Sequence, residues 1–201
     1  MKSITDPGKI LDRTCVIKVF LRAHIYPIMS VLEKFKSIRT FVFDVDGVMT
    51  DGSIQVYDTG EQARRMSTRD GYSLQLAIKK GYRVVVISGA SSEGVRLRLQ
   101  YLGISDIFLS VHDKVELLRQ FVREHRLVEN DMLYMGDDIP DYAPMQYVGL
   151  GCAPSDAAPE IRHIAAYISS YGGGQGCVRD VIEKVLKLNG HWELDQSLGS
   201  K

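Results

Sequence analysis

Two hydrophobic rhythms alternate along this chain. Short apolar runs rich in β-branched and aromatic residues read as buried strands: Phe41-Val42-Phe43, Arg83-Val84-Val85-Val86-Ile87, Ile107-Phe108-Leu109, Met132-Leu133-Tyr134-Met135 and Val148-Gly149-Leu150. Between them, apolar residues return every three or four positions, the period of a helix buried on one side. Leu74, Ala77 and Ile78 share a face in a helix that Asp70 is placed to cap and Gly81 to end. Val95, Leu99 and Leu102 mark a second helix, stopped by Gly103, and Leu118, Phe121 and Val122 mark a third across residues 113–126. A helix through Ile161 and Ile164 leads to Ala166-Tyr167-Ile168, and Val178, Val181, Ile182, Val185 and Leu186 form the stripe of a closing helix. Strands alternating with helices of this length predict right-handed βαβ units and a parallel sheet, hence an α/β fold.

Three stretches break the rhythm. Residues 53–57 alternate as a strand, Asp58-Thr59-Gly60 turns, and residues 61–66 return, a hairpin able to act as a flap. Tyr171-Gly172-Gly173-Gly174-Gln175-Gly176 is too rich in glycine for helix or strand, and from about Asp195 the chain reads as a loose tail. Residues 32–39 form a short amphipathic lead-in to the first strand.

Bulk composition narrows the partners. The 201 residues suit one domain with one core. Lys+Arg and Asp+Glu are equal at 25 each, so no global field points to nucleic acid. Cys15, Cys152 and Cys177 are odd in number and lack a CxxC pair, which speaks against a disulfide framework or a zinc site and fits a reducing cytoplasm. Asp12, Arg13, Lys18, Arg22 and His24 interrupt the apolar N-terminal stretch, so no membrane span is expected. Residues 1–30 read as an extension outside the domain, with Met29 a conceivable alternative start.

The candidate chemistry lies at strand ends. The first strand empties into Asp44-Val45-Asp46-Gly47-Val48, and side chains at i and i+2 of an extended segment point the same way. In an open parallel sheet that end of the strand borders the ligand crevice. Crowded carboxylates need a counter-ion, and Mg²⁺, a hard cation that takes oxygen ligands, is the natural one. Gly136-Asp137-Asp138-Ile139-Pro140-Asp141 is a second acidic strand end. Asp138 or Asp141 could equally cap a helix, Ser88 could be a turn residue and Lys114 a solvated side chain.

The first motif resembles the DxDGx signature of the haloacid dehalogenase superfamily of aspartate-nucleophile phosphatases. Ser88, Lys114 and the GDxxxD stretch from Gly136 to Asp141 match that superfamily's remaining motifs in the required order. The resemblance implies a Rossmann-like doubly wound sheet, with Asp44 as nucleophile and Asp46 as the acid that protonates the leaving alkoxide and then activates water. It makes Ser88 a hydrogen-bond donor to the phosphoryl group and Lys114 its charge partner. Asp44, the Asp46 carbonyl and Asp137 become ligands of Mg²⁺, with Asp138 and Asp141 binding through water or orienting the loop. Only 43 residues separate Asp44 from Ser88 and 25 separate Ser88 from Lys114, which leaves room for a hairpin flap and no cap domain.

Over residues 31–190 the chain further resembles the 3-deoxy-D-manno-octulosonate 8-phosphate phosphatases of lipopolysaccharide synthesis. The segments that carry this are Asp44 to Val48, Ser67-Thr68-Arg69-Asp70-Gly71-Tyr72, Gly136 to Asp138 and Gly173-Gly174-Gln175-Gly176-Cys177-Val178-Arg179. That family implies a homotetramer in which flaps and glycine-rich segments complete a neighbour's site, and a small sugar-acid phosphate as substrate. Residues 191–201 then form a tail beyond the domain. Ser67, Thr68, Arg69, Asp70 and Gly71 would line the substrate pocket with Asp46 and Gln75, while Arg98 and Lys114 would meet anionic groups. Gln75, Ala90 and Gln175 stand where many relatives carry arginine, so altered sugar-acid preference is expected. Arg64 and Arg65 read as ordinary surface arginines; with Arg69, or Arg179 of another subunit, they are candidates to supply the missing charge. A nine-carbon keto-acid 9-phosphate is the rival substrate, and a noncatalytic metal-binding scaffold subunit the rival class.

Overall fold

The computed structural model describes residues 31–193, 195 and 197–198. The expectations for residues 1–30, including Cys15 and the apolar N-terminal stretch, lie outside them. Six parallel strands form the sheet, in the order β5(Asp106–Phe108), β4(Arg83–Ile87), β1(Thr40–Phe43), β6(Met132–Met135), β7(Leu150–Ala153), β8(Tyr167–Ile168). The chain starts in the middle, winds outward through β4 and β5, then returns to β6 on the other side of β1. That reversal makes the crevice between β1 and β6 the ligand-binding position of a doubly wound sheet. The α/β expectation holds.

Alternation along the strands fills two cores. Phe41, Phe43, Val84, Val86, Leu133 and Met135 face one side; Val42, Val85, Ile87, Met132 and Tyr134 face the other. The first side is covered by α1 (residues 31–37), α2(Thr68–Lys79), α3(Glu93–Tyr101) and α7(Cys177–Leu188). The second is covered by α4(Lys114–His125), α5(Tyr142–Tyr147) and α6(Pro159–Ile164). The α7 stripe is the clearest case, with Val178, Val181, Ile182, Val185 and Leu186 all buried.

Several boundaries differ from expectation for local reasons. Ser67, not Asp70, caps α2: its hydroxyl accepts from the Asp70 N–H at 3.3 Å. Asp70 lies in the first turn and turns its carboxylate toward α7 instead. The fifth expected strand begins two residues later, at Leu150, because Gly149 is held in the preceding turn by its N–H bond to the Glu129 carbonyl at 2.8 Å. The hairpin pairs only as β2(Gln55–Val56) and β3(Gln62–Ala63), with a further bridge between Thr50 and Met66. Short α5 follows a 3-10 turn at Ile139–Asp141 and had no periodic signature long enough to read. The end of the chain is not loose where it is described. Asp195 pairs with Lys79, Glu193 with Lys80, and Leu198 packs against the first core.

Candidate active site

Asp44 follows the last residue of β1, and its N–H still bonds to the Met135 carbonyl at 3.1 Å, so the first acidic strand end is tied to the strand that delivers the second. After Asp46 the backbone turns sharply. Gly47 has φ +80, and a Cβ there would fall 2.0 Å from Asp137 Oδ2, so only glycine allows the two acidic loops to meet. Gly173 does the same from below: a Cβ on it would fall 2.1 Å from the Gly47 carbonyl oxygen, and the Gly174 N–H bonds to the Val48 carbonyl at 2.9 Å. The glycine-rich segment therefore packs under the catalytic turn of its own chain.

The two strand ends converge. Carboxylate oxygens of Asp44, Asp137 and Asp141 lie within 4.8 Å of one another. Asp141 stands at the N-cap position of α5 but its side chain makes no cap bond; it is the hub of a buried network. Its Oδ1 accepts from Lys114 Nζ at 2.8 Å and from the Tyr134 hydroxyl at 2.7 Å, and its Oδ2 accepts from the Asp137 N–H at 3.1 Å. Lys114, capped into α4 by Asp113, is buried rather than solvated and also lies 3.0 Å from Asp44 Oδ1. That contact is an ion pair; Asp44 Oδ1 is otherwise buried without a partner.

Charge crowding shows in the titration of these groups. Burial, then the Asp141 charge, raises Asp44 to about 7 against the opposing pull of Lys114. Burial, with Asp141 and Asp138, likewise raises Asp137 to about 7. Burial pulls Lys114 down, but the Asp141 and Asp44 carboxylates outweigh it and hold the ammonium above its usual value. Burial and Asp141 push Tyr134 well above the usual phenol value, so it remains a donor. Three carboxylates against one ammonium leave the cluster two charges short of neutral. An orphaned carboxylate oxygen and an all-oxygen donor set fit a hard divalent cation such as Mg²⁺.

Asp44, Asp46, Ser88, Lys114 and Asp137 line one cavity of about 420 Å³, together with Ala90 and His112. Ser88, at the end of β4, is buried, and its Oγ accepts from the Ala90 N–H at 3.2 Å. The other sequence-predicted residues are spread more widely. Thr68 and Arg98 line a second cavity of about 550 Å³ together with Arg64, whose partner Asp46 lines the first. Arg69 is exposed and lines a third, with Gln175 and Arg179. Ser67 is the helix cap. Asp70, Gly71 and Gln75 point inward: Asp70 Oδ1 accepts from the Arg179 N–H at 2.9 Å, Gly71 packs beside Arg98, and Gln75 Nε2 donates to the Gly71 carbonyl at 3.2 Å.

Two residues at the site escaped the sequence reading, and a third, Arg64, entered it only as a candidate to supply missing charge. Tyr134 sat in an apolar strand run, His112 had no motif, and Arg64 looked like a surface residue. Arg64 is instead buried and forks the Asp46 carboxylate, Nε at 2.7 Å from Oδ1 and Nη2 at 3.2 Å from Oδ2. Arg65, by contrast, is 88 % exposed and pairs with Asp51, as a surface arginine should.

No family model matches the chain. It is nonetheless 32% identical over 170 residues to the 3-deoxy-D-manno-octulosonate 8-phosphate phosphatase of Escherichia coli K12, covering 85% of this chain and 89% of that protein. The chain belongs to this phosphatase family. Among solved structures it is similar to the Moraxella catarrhalis enzyme of the same name in complex with magnesium, phosphate and the sugar acid KDO. That match has 32% identity and TM-score 0.76, covering 79% of this chain and 91% of that one. A HAD superfamily (subfamily III A) hydrolase of Legionella pneumophila matches at 31% identity and TM-score 0.81, covering 85% and 93%. The fold is that of the haloacid dehalogenase superfamily.

Proposed function

We propose that this chain hydrolyses 3-deoxy-D-manno-octulosonate 8-phosphate to the free sugar acid and phosphate, with Mg²⁺ as cofactor. The observation that carries the reading is the convergence of Asp44, Asp137, Asp141 and Lys114 at the carboxyl end of the sheet. Asp44, Asp137 and the Asp46 carbonyl would hold Mg²⁺, which would neutralise charge on the phosphoryl oxygens. Asp44 attacks phosphorus, the P–O bond to the sugar breaks, and the proton of Asp46 passes to the leaving oxygen. Asp46 then takes a proton from water, whose oxygen displaces Asp44 from the aspartyl-phosphate. Ser88 and Lys114 bind the phosphoryl oxygens, while Asp141 and Tyr134 hold Lys114 in place.

In this reading Thr68 and Arg98, which share a cavity with Arg64, receive the sugar acid, with Arg69 contributing from its own face. Ala90 lines the acid cavity without offering a cation, and this favours testing a nine-carbon keto-acid 9-phosphate alongside. We further propose a homotetramer and a cytoplasmic location. The exposed apolar hairpin residues Ile54, Val56 and Tyr57 support the first, and free Cys152 and Cys177 the second. No helix among the described residues is long and apolar enough to cross a membrane. The test is phosphate release from both sugar-acid phosphates with Mg²⁺ present: turnover of the eight-carbon ester is expected. No turnover, or full turnover by Asp44→Asn, would refute the reading.

A further inference from the structure

Arg64 is unusual among the chain's arginines. Its side chain is 4% exposed, although it sits on a two-stranded hairpin that is otherwise largely solvated. Burying a guanidinium is costly unless its donors are matched, and here two of its three nitrogens are matched to one group: both Asp46 oxygens lie in a bidentate fork. Asp46 has few other restraints, since Thr50 Oγ1 is 3.4 Å from Oδ1. Its half-exposed carboxylate would otherwise sample several rotamers. Arg64 Nη1, meanwhile, is buried with no partner. The residue thus lines the larger cavity, with Thr68, Ser92 and Arg98, while its partner Asp46 lines the acid cavity.

We infer that Arg64 is the positioning residue for the general acid, and that the hairpin's role in catalysis is to carry it. This rests on the phosphatase reading above. The fork fixes the Asp46 rotamer before substrate arrives; the oxygen that leaves the fork takes up a proton from solvent, to which Asp46 is partly exposed, and that proton is already aimed. Proton donation requires one oxygen to leave the fork. The 3.2 Å contact from Nη2 to Oδ2 is the longer of the two, so it yields to the ester oxygen while the 2.7 Å bond from Nε keeps the carboxyl oriented. The proton then moves from Asp46 to the leaving oxygen as the P–O bond breaks.

Leaving-group chemistry separates this role from a structural one. Protonation matters for an alkoxide and hardly at all for a nitrophenolate, which leaves unaided. In single-turnover release of the leaving group, which precedes the water step common to all esters, Arg64→Ala should slow the sugar-acid ester and a simple alkyl phosphate by about 30-fold and p-nitrophenyl phosphate by less than about threefold, with less than about a threefold change in any KM. Arg64→Lys, retaining one charged donor, should recover about tenfold of the loss. The same assays on Arg64→Lys stand in if the alanine variant does not fold. Equal losses on alkyl and aryl esters, or no loss on either, would overturn the inference while leaving the phosphatase reading intact. A wild type that hydrolyses simple esters but not the sugar-acid phosphate would overturn the substrate assignment alone. A wild type inert toward every ester would overturn both.

Discussion

At the scale of single residues, the site works by forcing charges together that would rather be apart. Asp44 Oδ1, on the proposed nucleophile, is buried without a hydrogen bond and ion-paired to a lysine held from behind by Asp141. Asp44→Asn removes the nucleophile without changing shape, and turnover should fall by about 10⁴-fold or more while the unfolding transition is kept. Lys114→Met is expected to behave oppositely. It strips the ammonium from two buried carboxylates, and without added metal it should destabilise the fold by about 3 kcal/mol, measured by urea unfolding. A variant as stable as wild type would mean that Lys114 balances nothing. The acids and Lys114 were legible in the sequence because each follows or opens an element at a fixed motif position. Arg64 was not, since what makes it functional is a partner 18 positions away across a turn, and nothing local distinguishes it from Arg65.

At the scale of elements, α2 and α7 are joined by a buried acid. Asp70, in the first turn of α2, accepts the Arg179 N–H from the first turn of α7, and its second oxygen is buried without a partner. Burial raises its carboxyl to about 6, only partly countered by the bonds from Arg179 and Ser67. The folded state therefore holds the proton more tightly than the unfolded chain, whose ordinary value is 3.8. Stability from this group is greatest below pH 4 and is lost as pH rises through 6, by up to about 3 kcal/mol. Asp70→Asn keeps the acceptor and removes the charge. With Mg²⁺ saturating, the stability difference between variant and wild type should grow in the variant's favour from pH 4 to 7. A difference that stays flat would show that Asp70 is solvated in solution. The helices themselves were readable from their stripes, but this link was not. The sequence placed Asp70 as a cap for α2, and only the packing of α7 against that turn shows why an acid sits one turn further in.

At the scale of the whole molecule, the acid cluster ties folding to metal. The cavity joins the ends of β1 and β6 with the start of α4, so a cation bound there links segments that are distant in sequence. Mg²⁺ at about 100 times its dissociation constant should stabilise the protein by about 2.7 kcal/mol, and chelation should reverse this. Asp137→Asn should abolish most of the effect. No metal dependence of the unfolding midpoint would remove Mg²⁺ from the assignment.

The surface adds a second whole-molecule consequence. Val56 is 67 % exposed on the hairpin, flanked by exposed Ile54 and Tyr57, in the same element whose other arm carries the buried Arg64. A two-stranded ribbon of this size has little stability of its own, yet it must hold Arg64 to a fraction of an ångström if Asp46 is to be aimed. Association through the apolar face would supply that rigidity by burying the ribbon between subunits. The wild type is therefore expected to run at about four times its 22.5 kDa chain mass in light scattering. Val56→Asp, which disturbs no packing within the subunit, should dissociate it and lower turnover of alkyl esters more than of aryl ones. A wild type that is monomeric and fully active would show that the hairpin orders itself, and would break the link between assembly and acid catalysis.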